Sequence, residues 1–474
     1  HCIIPEQSLF RFPILLLSML ALSILMSNIV CFNFVVLFMP STFERENINH
    51  TYIGYTKHER TLLFSSVAIG ALAAVVLVSH ATHAHGTRKV FFVAGLLTTV
   101  ATALIPSLSR ISLNWFIALR FVQGASLSAA MPTAGSITAS WASLSQHGLF
   151  MSTLTTFSQV SAIFSMPVSG YLCATALGWK AVFYLHSIVS AAIFAVWYFV
   201  YRNQPSQHPL ISASETATIQ EGKSAADLAH CDSEGTRKKI PYLAIISTPA
   251  VWAVWVGALG DYVAVQVRLT VLSTFQLIHI FSPLYLHSVL GYSMEETGWA
   301  AALPVVLQFL VKMSAGHSSD RIVGVSETTK LRIYNSLALA VSACFLVALA
   351  FVPRGYPACG LVLLTLANAM FGFNGGGFNK CATLVSRQYS HFVMANIQVI
   401  QGLSLLISPV LVNWMLRKGS MSEWRLIFVS HGCLLLICNA VFCIFTTAKP
   451  ALWTEPDVPV PNGRNQGRFG AKQV

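Results

Sequence analysis

Arg120 lies within an apolar stretch of the chain, a place where a charged side chain is costly unless it faces a cavity or a partner. Its planar guanidinium suits bidentate capture of a carboxylate or a phosphate. Gln123, one helical turn on, can share the same ligand. Each residue also has a structural alternative: Arg120 tied to neighbouring helix ends, Gln123 in a hydrogen bond between helices. Asp261 is the acidic counterpart in a clean apolar run, able to carry a proton or a cation, or to neutralise Arg120. Asn374 and Asn379 flank Gly375-Gly376-Gly377, and three glycines permit either close helix contact or a broken helix that exposes carbonyls. Lys312 sits near the end of its run, just before Gly316, and is expected to snorkel toward water.

The elements that must position these side chains follow from composition. Of 474 residues, 55% are apolar and 10% charged; the mean hydropathy is +0.64. The apolar residues fall into runs of about 20, enough for a helix to cross a hydrocarbon core of about 30 Å. In that core unpaired backbone groups are not tolerated, so the runs are expected to be helices and the chain an all-α protein of the lipid bilayer. The net charge of +12 does not indicate nucleic acid, because the Lys and Arg are scattered over short inter-span loops. The ten cysteines include no CxxC pair, and several lie in apolar runs as small hydrophobes. His80, His83 and His85 lack a nearby Cys or carboxylate and fit a solvated loop better than a metal site. Nothing resembles H-E-x-x-H or G-x-S-x-G, and no intramembrane carboxylates are paired, so no membrane enzyme is indicated.

The chain begins at His1, and further residues are expected upstream. Phe12–Phe38 is too long for a signal h-region and is the first span. Spans follow near 61–79, 90–107, 112–136, 149–172 and 180–200, making a first bundle over 1–200. Residues 201–241 turn polar and form a linker. Apolar runs near 242–289, 298–316, 332–352, 357–379, 393–416 and 426–446 form a second bundle over 242–446, and 447–474 is a polar tail. Twelve transmembrane helices in two six-helix bundles are therefore expected. Putting the linker and both ends in the cytosol gives the cytosolic segments the larger share of Lys and Arg. It also places the glycosylation acceptor Asn49-His50-Thr51 outside.

Residues 242–289 are too long for one span and too short for two. Without Val267–Gln276, Val251–Gln266 joins Leu277–His287 as a span of ordinary length, so the decapeptide reads as an insertion; a long, tilted or broken helix is the alternative.

Local motifs narrow the class. Gly316-His317-Ser318-Ser319-Asp320-Arg321, between spans 8 and 9, resembles the G-x-x-x-D-R loop of major facilitator transporters. At the equivalent place in the first half, Gly86-Thr87-Arg88-Lys89 keeps the Gly and the basic pair without an acid. Leu119-Arg120-Phe121-Val122-Gln123-Gly124 with Pro132 and Trp141 resembles the fourth span of the sodium-phosphate and organic-anion family, which includes sialin and the vesicular glutamate transporters. Pro167 to Cys173, Gly178-Trp179, Phe183-Tyr184, the linker residues Pro205–Pro209 and the pair Trp424 and Phe428 continue the series over roughly 12–450. The chain departs from that family at Leu127, where proton-linked glutamate carriers have an acid, and at Gly260-Asp261, where they have a base. The W-x-P-x-x-E-R signature is reduced to Trp141-Ala142-Ser143-Leu144-Ser145-Gln146-His147, which argues against glutamate as substrate.

The resemblance implies a secondary active transporter that moves a small organic or inorganic anion by alternating access, coupled to Na⁺ or H⁺ and needing no other cofactor. Arg120, Gln123, Asn374 and Asn379 would bind substrate and Asp261 would couple. Gly86, Arg88, Gly316, Asp320 and Arg321 would brace the cytosolic gate. An uncoupled uniporter or exchanger, or a sensor of the same fold, is the alternative that Leu127 supports. A monomer in the plasma membrane or a lysosomal or vesicular membrane is expected.

Overall fold

The computed structural model describes residues 9–36, 39, 55–223, 240–274, 294–352, 357–415 and 421–454. Six spans make the first half: α1 (Arg11–Val35), α2 (Lys57–His85), α3 (Thr87–Leu108), α4 and α5 (Leu113–Leu127, Ala130–Trp141), α6 and α7 (His147–Thr155, Phe157–Ala174), and α8 (Gly178–Val200). After the linker helix α9 (Ala213–Gln220) and a short α10 (Tyr242–Ile246) come α11 (Pro249–Thr274) and α12 (Met294–Arg321). Span 9 is α13 (Glu327–Ser336), a π turn and α14 (Ser342–Ala350); span 10 is α15 (Pro357–Met370), a 3₁₀ turn and α16 (Phe378–Ser386). The last two are α17 (Ser390–Met415) and α18 (Met421–Phe445). These are the twelve expected spans.

The helices are built for lipid. On α3, Val93, Leu96, Leu97, Val100 and Leu104 form an exposed apolar stripe at helical spacing. The opposite face buries Phe91, Gly95, Thr98, Thr99 and Thr102 against the bundle. An apolar outside over a partly polar inside is the arrangement a bilayer demands. Helix ends on the loops are capped in the ordinary way. Thr56 and Glu59 form a reciprocal capping box on α2, and Ser326 caps α13. Gly86 turns α2 into α3 at φ +82, where the side chain of Asn203 fills the space a Cβ would need.

Seven stretches of the described chain are long and apolar enough to cross a membrane by themselves. Spans 4 and 5 are each broken, into helices of 15 and 12 residues and of 9 and 18. In the linker-side half of the molecule one core runs across both bundles, joining Trp141, Phe150 and Leu154 to Val254, Phe378 and Met394. At the far end the core divides, one cluster around Phe32, Phe116 and Phe183 and another around Leu339, Leu346 and Leu435. The two halves are thus closed against each other on the linker side.

Two expectations change. Helix α2 continues through His85, so His80, His83 and His85 are helical rather than a loop, because nothing before Gly86 stops the helix. Gly316 to Arg321 is the last part of α12 rather than a loop. Helix α11 carries Val267 through Thr274 without a break; Phe275, Gln276 and the segment expected to rejoin them, which would decide between an insertion and a long helix, lie outside the described residues, as does Asn49. The linker also docks: the Glu215 carboxylate accepts hydrogen bonds from the N–H groups of Phe10 (3.1 Å) and Arg11 (3.0 Å), capping α1.

Candidate functional site

Span 5 breaks where threonines compete with its helix. Thr155 Oγ1 donates back to Met151 O and Thr156 Oγ1 to Thr153 O, each at 2.6 Å. Such back-bonding bends a helix and loosens its carbonyls. The Thr155 carbonyl at this break accepts a hydrogen bond from Lys312 Nζ of the other half at 2.9 Å. Lys312 is only 4% exposed, so it does not snorkel: its ammonium is held inward between the halves, in the field of Asp261. Asp261, on α11, is itself buried and accepts from Asn374 Nδ2 at 3.0 Å through Oδ2. Asp261 is thus held within its own half by Asn374, while the hydrogen bonds of Arg120 go to Ile29, Leu63 and Gln123 of the other half. Two amide oxygens nearby in sequence, Asn374 Oδ1 and Asn379 Oδ1, are buried without a hydrogen-bond partner. They are acceptors left available in a polar interior.

Below this point the halves meet closely. Gly375 packs on Ser152 so tightly that a Cβ built on it would fall on the serine hydroxyl. Gly372 lies against Gln308 O and Lys312 N of its own half. The close contact expected of the glycine run is present, and Phe371–Gly375 also breaks span 10 as a 3₁₀ turn. Nearer the linker side, the Asp320 carboxylate accepts from the N–H groups of Gly148 (3.1 Å) and Leu149 (2.7 Å), the first turn of α6. A carboxylate at a helix N-terminus meets unpaired N–H donors and the positive end of the dipole. Lys380 binds Asp320 at 2.8 Å and Glu327 at 3.1 Å, and Glu327 also pairs with Lys330. This network ties spans 8, 9 and 10 to span 5.

Arg120 and Gln123 lie elsewhere. Arg120, 1% exposed, donates from Nη1 to Ile29 O (3.2 Å) and Gln123 Oε1 (2.8 Å), and from Nε to Leu63 O (3.4 Å). Its guanidinium carbon stands 4.5 Å from the centre of the Phe32 ring. Gln123 Nε2 donates to Asn28 O and Thr102 Oγ1. The pair binds α1, α2, α3 and α4 together, the structural one of the two roles open to each. Of the expected gate residues, Gly316 lies on Ser152 across the interface and Asp320 clamps α6. Arg88 stays within the first half, its guanidinium donating to Tyr198 O and its backbone N–H to Asn203 Oδ1. Arg321 is exposed.

Lys312 was legible as a charge in an apolar run but not as a central one. Lys380 falls just past the expected end of span 10, so its burial was invisible. Thr155 has no signal beyond the cluster Thr153, Thr155, Thr156.

The sequence profile of the Major Facilitator Superfamily matches residues 12–395. An uncharacterized transporter of Caenorhabditis elegans, slc-17.2, is 25% identical over 86% of this chain and 82% of its own length. The human sodium-dependent phosphate transport protein 1 is 24% identical over 86% and 85%. Human vesicular glutamate transporter 2 is 25% identical over 78% of this chain, which spans 62% of that longer protein. Among solved structures, the proton:xylose symporter XylE superposes with a TM-score of 0.68 at 13% identity, covering 94% of this chain and 98% of the other. The human organic anion transporter MFSD10 gives 0.60 at 12% identity, covering 91% and 99%.

Proposed function

The chain belongs to the Major Facilitator Superfamily, and on that premise we propose that it is a secondary transporter of a small organic or inorganic anion, with the linker side facing the cytosol. The relatives named for phosphate and glutamate support an anionic substrate. The observation that carries the reading is Lys312, a buried cation shared by the two halves. A buried ammonium needs a counter-charge at every stage of a cycle. In the state described it has the Thr155 carbonyl and the field of Asp261. When the halves rock apart the Thr155 contact is lost, and an arriving anion replaces it.

Asp261 then becomes the coupling group. A proton or Na⁺ that neutralises its carboxylate releases Lys312 to hold the anion, and Asn374 Oδ1 is placed on the same side chain that already holds Asp261. Anion and cation thus load together, which is symport. Arg120 and Gln123 hold the first bundle in shape, and the substrate contacts come from Lys312, Asn374 and Asn379.

The test is uptake into vesicles of purified protein, with labelled phosphate and organic anions under imposed Na⁺ or pH gradients. Accumulation above equilibrium is expected for at least one anion. Asp261→Asn should lose gradient-driven accumulation while keeping exchange of anion for anion; Lys312→Gln should lose both. Exchange without accumulation in the unsubstituted protein would mean an uncoupled exchanger, and normal transport by Lys312→Gln would end the proposal.

A further inference from the structure

Span 5 begins on the linker side with a residue that can change its charge. His147 is the first residue of α6, ahead of the apolar run that starts near 149. In the W-x-P-x-x-E-R signature that Trp141 to His147 resembles, the last place belongs to an Arg, charged at any working pH. Here that place holds an imidazole, which ordinarily titrates near 6.5. The ring is 1% exposed and sits on the seam, its Nδ1 3.0 Å from Thr383 Oγ1 of span 10 in the other half. That hydroxyl already donates to Lys380 O, so Nδ1 carries the proton and donates to the threonine. Nε2 is then the bare nitrogen, buried and without a hydrogen-bond partner among the described residues.

The charged groups around this ring come from several elements. Lys223 acts on it from the linker, Lys380 from α16 and Arg387 from the turn after α16. Lys380 is held by Asp320 and Glu327, and Lys223 Nζ donates to Ala139 O and Ser140 O. From α12, the Asp320 carboxylate accepts from the Gly148 N–H, one residue along. Helix α5 carries no charged residue, and α1 carries only Arg11, beside Glu215. His83 of span 2 and His391 of span 11 line the same linker-side cavity, stacked on each other with ring centres 5.3 Å apart. While the halves touch, a second proton on His147 would stand on Nε2, out of water and with no acceptor, a costly place for a charged donor. Once the halves part, the ring meets the water of the linker side and titrates as an ordinary imidazole.

We propose that His147 is a proton-operated latch on the linker side. Neutral, it fastens span 5 to span 10 through Thr383; protonated, it favours the state in which the halves have parted. The parted state binds this proton and the closed state does not, so falling pH on the linker side opens that side. Above about pH 7.5 the ring is neutral in both states, and a further rise changes nothing. With an ordinary titration near 6.5 in the parted state, the proton multiplies the open-to-closed ratio by about 1.1 at pH 7.5 and by about 11 at pH 5.5. Acidification across that window is therefore worth roughly tenfold in the ratio. An Arg at the same place would give no such response, because its charge does not change.

The experiment uses the purified full chain in lipid nanodiscs, with nitroxide labels at Lys89→Cys and Val323→Cys, exposed positions on the linker side of the two halves. The background lacks Cys2, Cys231 and the exposed Cys344, Cys359 and Cys433. Pulsed electron paramagnetic resonance reads the populations of short and long label distances at pH 7.5 and pH 5.5. The long-to-short ratio should rise about tenfold on acidification. His147→Gln should abolish the rise, and His147→Asn gives the same reading with a shorter amide should the first variant fold poorly. Asp261→Asn should keep the rise, which separates the latch from the coupling carboxylate. The readout is the position of the halves, so it stands whatever anion is carried and whether or not a cation is coupled to it. A ratio indifferent to pH in the unsubstituted chain would overturn the proposal. So would a rise lost in Asp261→Asn, or one that persists in the His147 variants and so belongs to Asp320, His83 or His391.

Discussion

A single methyl group at position 375 is expected to force the linker side open. A Cβ built on Gly375 falls on Ser152 Oγ and lies 2.9 Å from Ser152 Cβ and 3.0 Å from its Cα. Carbon atoms pack at about 3.5–4.0 Å, so the facing helices must part by roughly 0.5–1 Å. The serine hydroxyl has no hydrogen bond to lose by rotating, but its Cβ and Cα cannot rotate away. Overpacking of this size costs about 1–3 kcal/mol. Gly375 belongs to span 10 and Ser152 to span 5, so the cost falls on the state in which the halves touch and is relieved when they separate. The closed-to-open ratio should therefore fall by about 5- to 150-fold. Ser390→Cys supplies the reporter, because Ser390 is buried and donates to Gly135 O across the same seam. In a background without Cys2, Cys231 and the exposed Cys344, Cys359 and Cys433, a membrane-impermeant maleimide added from the linker side should label it faster in Gly375→Ala. Adding Ser152→Gly removes the struck Cβ and should restore slow labelling. The nearest atoms to a Cβ on Gly372 are Gln308 O, Lys312 N and Val311 Cγ1, all in its own half, so Gly372→Ala should lower stability without opening the seam. Unchanged labelling in Gly375→Ala, or failure of Ser152→Gly to reverse it, would refute the argument that these glycines set the closed state.

Two further outcomes follow from the buried charges. Arg120→Ala strips donors from Ile29 O, Leu63 O and Gln123 and should cost about 3–5 kcal/mol, read as a lowered melting temperature with or without substrate; a variant of normal stability that has lost only transport would restore Arg120 to the substrate site. Asp320→Asn leaves Lys380, 2% exposed, with Glu327 alone, and should destabilise by a similar about 3–5 kcal/mol; the double variant Asp320→Asn with Lys380→Met should recover most of it, and a purely additive loss would refute the pairing.

The twelve-span plan and the family resemblance were legible in the sequence because a bilayer acts on the chain one segment at a time. A run of apolar residues long enough to span must be helical whatever it packs against. The polar linker and the motif around Asp320 are likewise local patterns. The identity of each charge's partner is not local. Asp261 meets Asn374 across 113 residues, Lys312 meets Thr155 across 157, and Asp320 meets Leu149 across 171. Which of these pairs forms depends on how each helix is rotated about its axis and where it breaks. Those are settled by packing between helices, to which residues such as Ser152, Gly316 and Gly375 contribute only in three dimensions. Hence Arg120 stood out as the odd charge in span 4, yet the fold encloses it among backbone carbonyls. Lys312, near the end of its run and seemingly bound for water, was drawn inward because the break in span 5 leaves a carbonyl opposite it and Asp261 lies close enough to stabilise its charge.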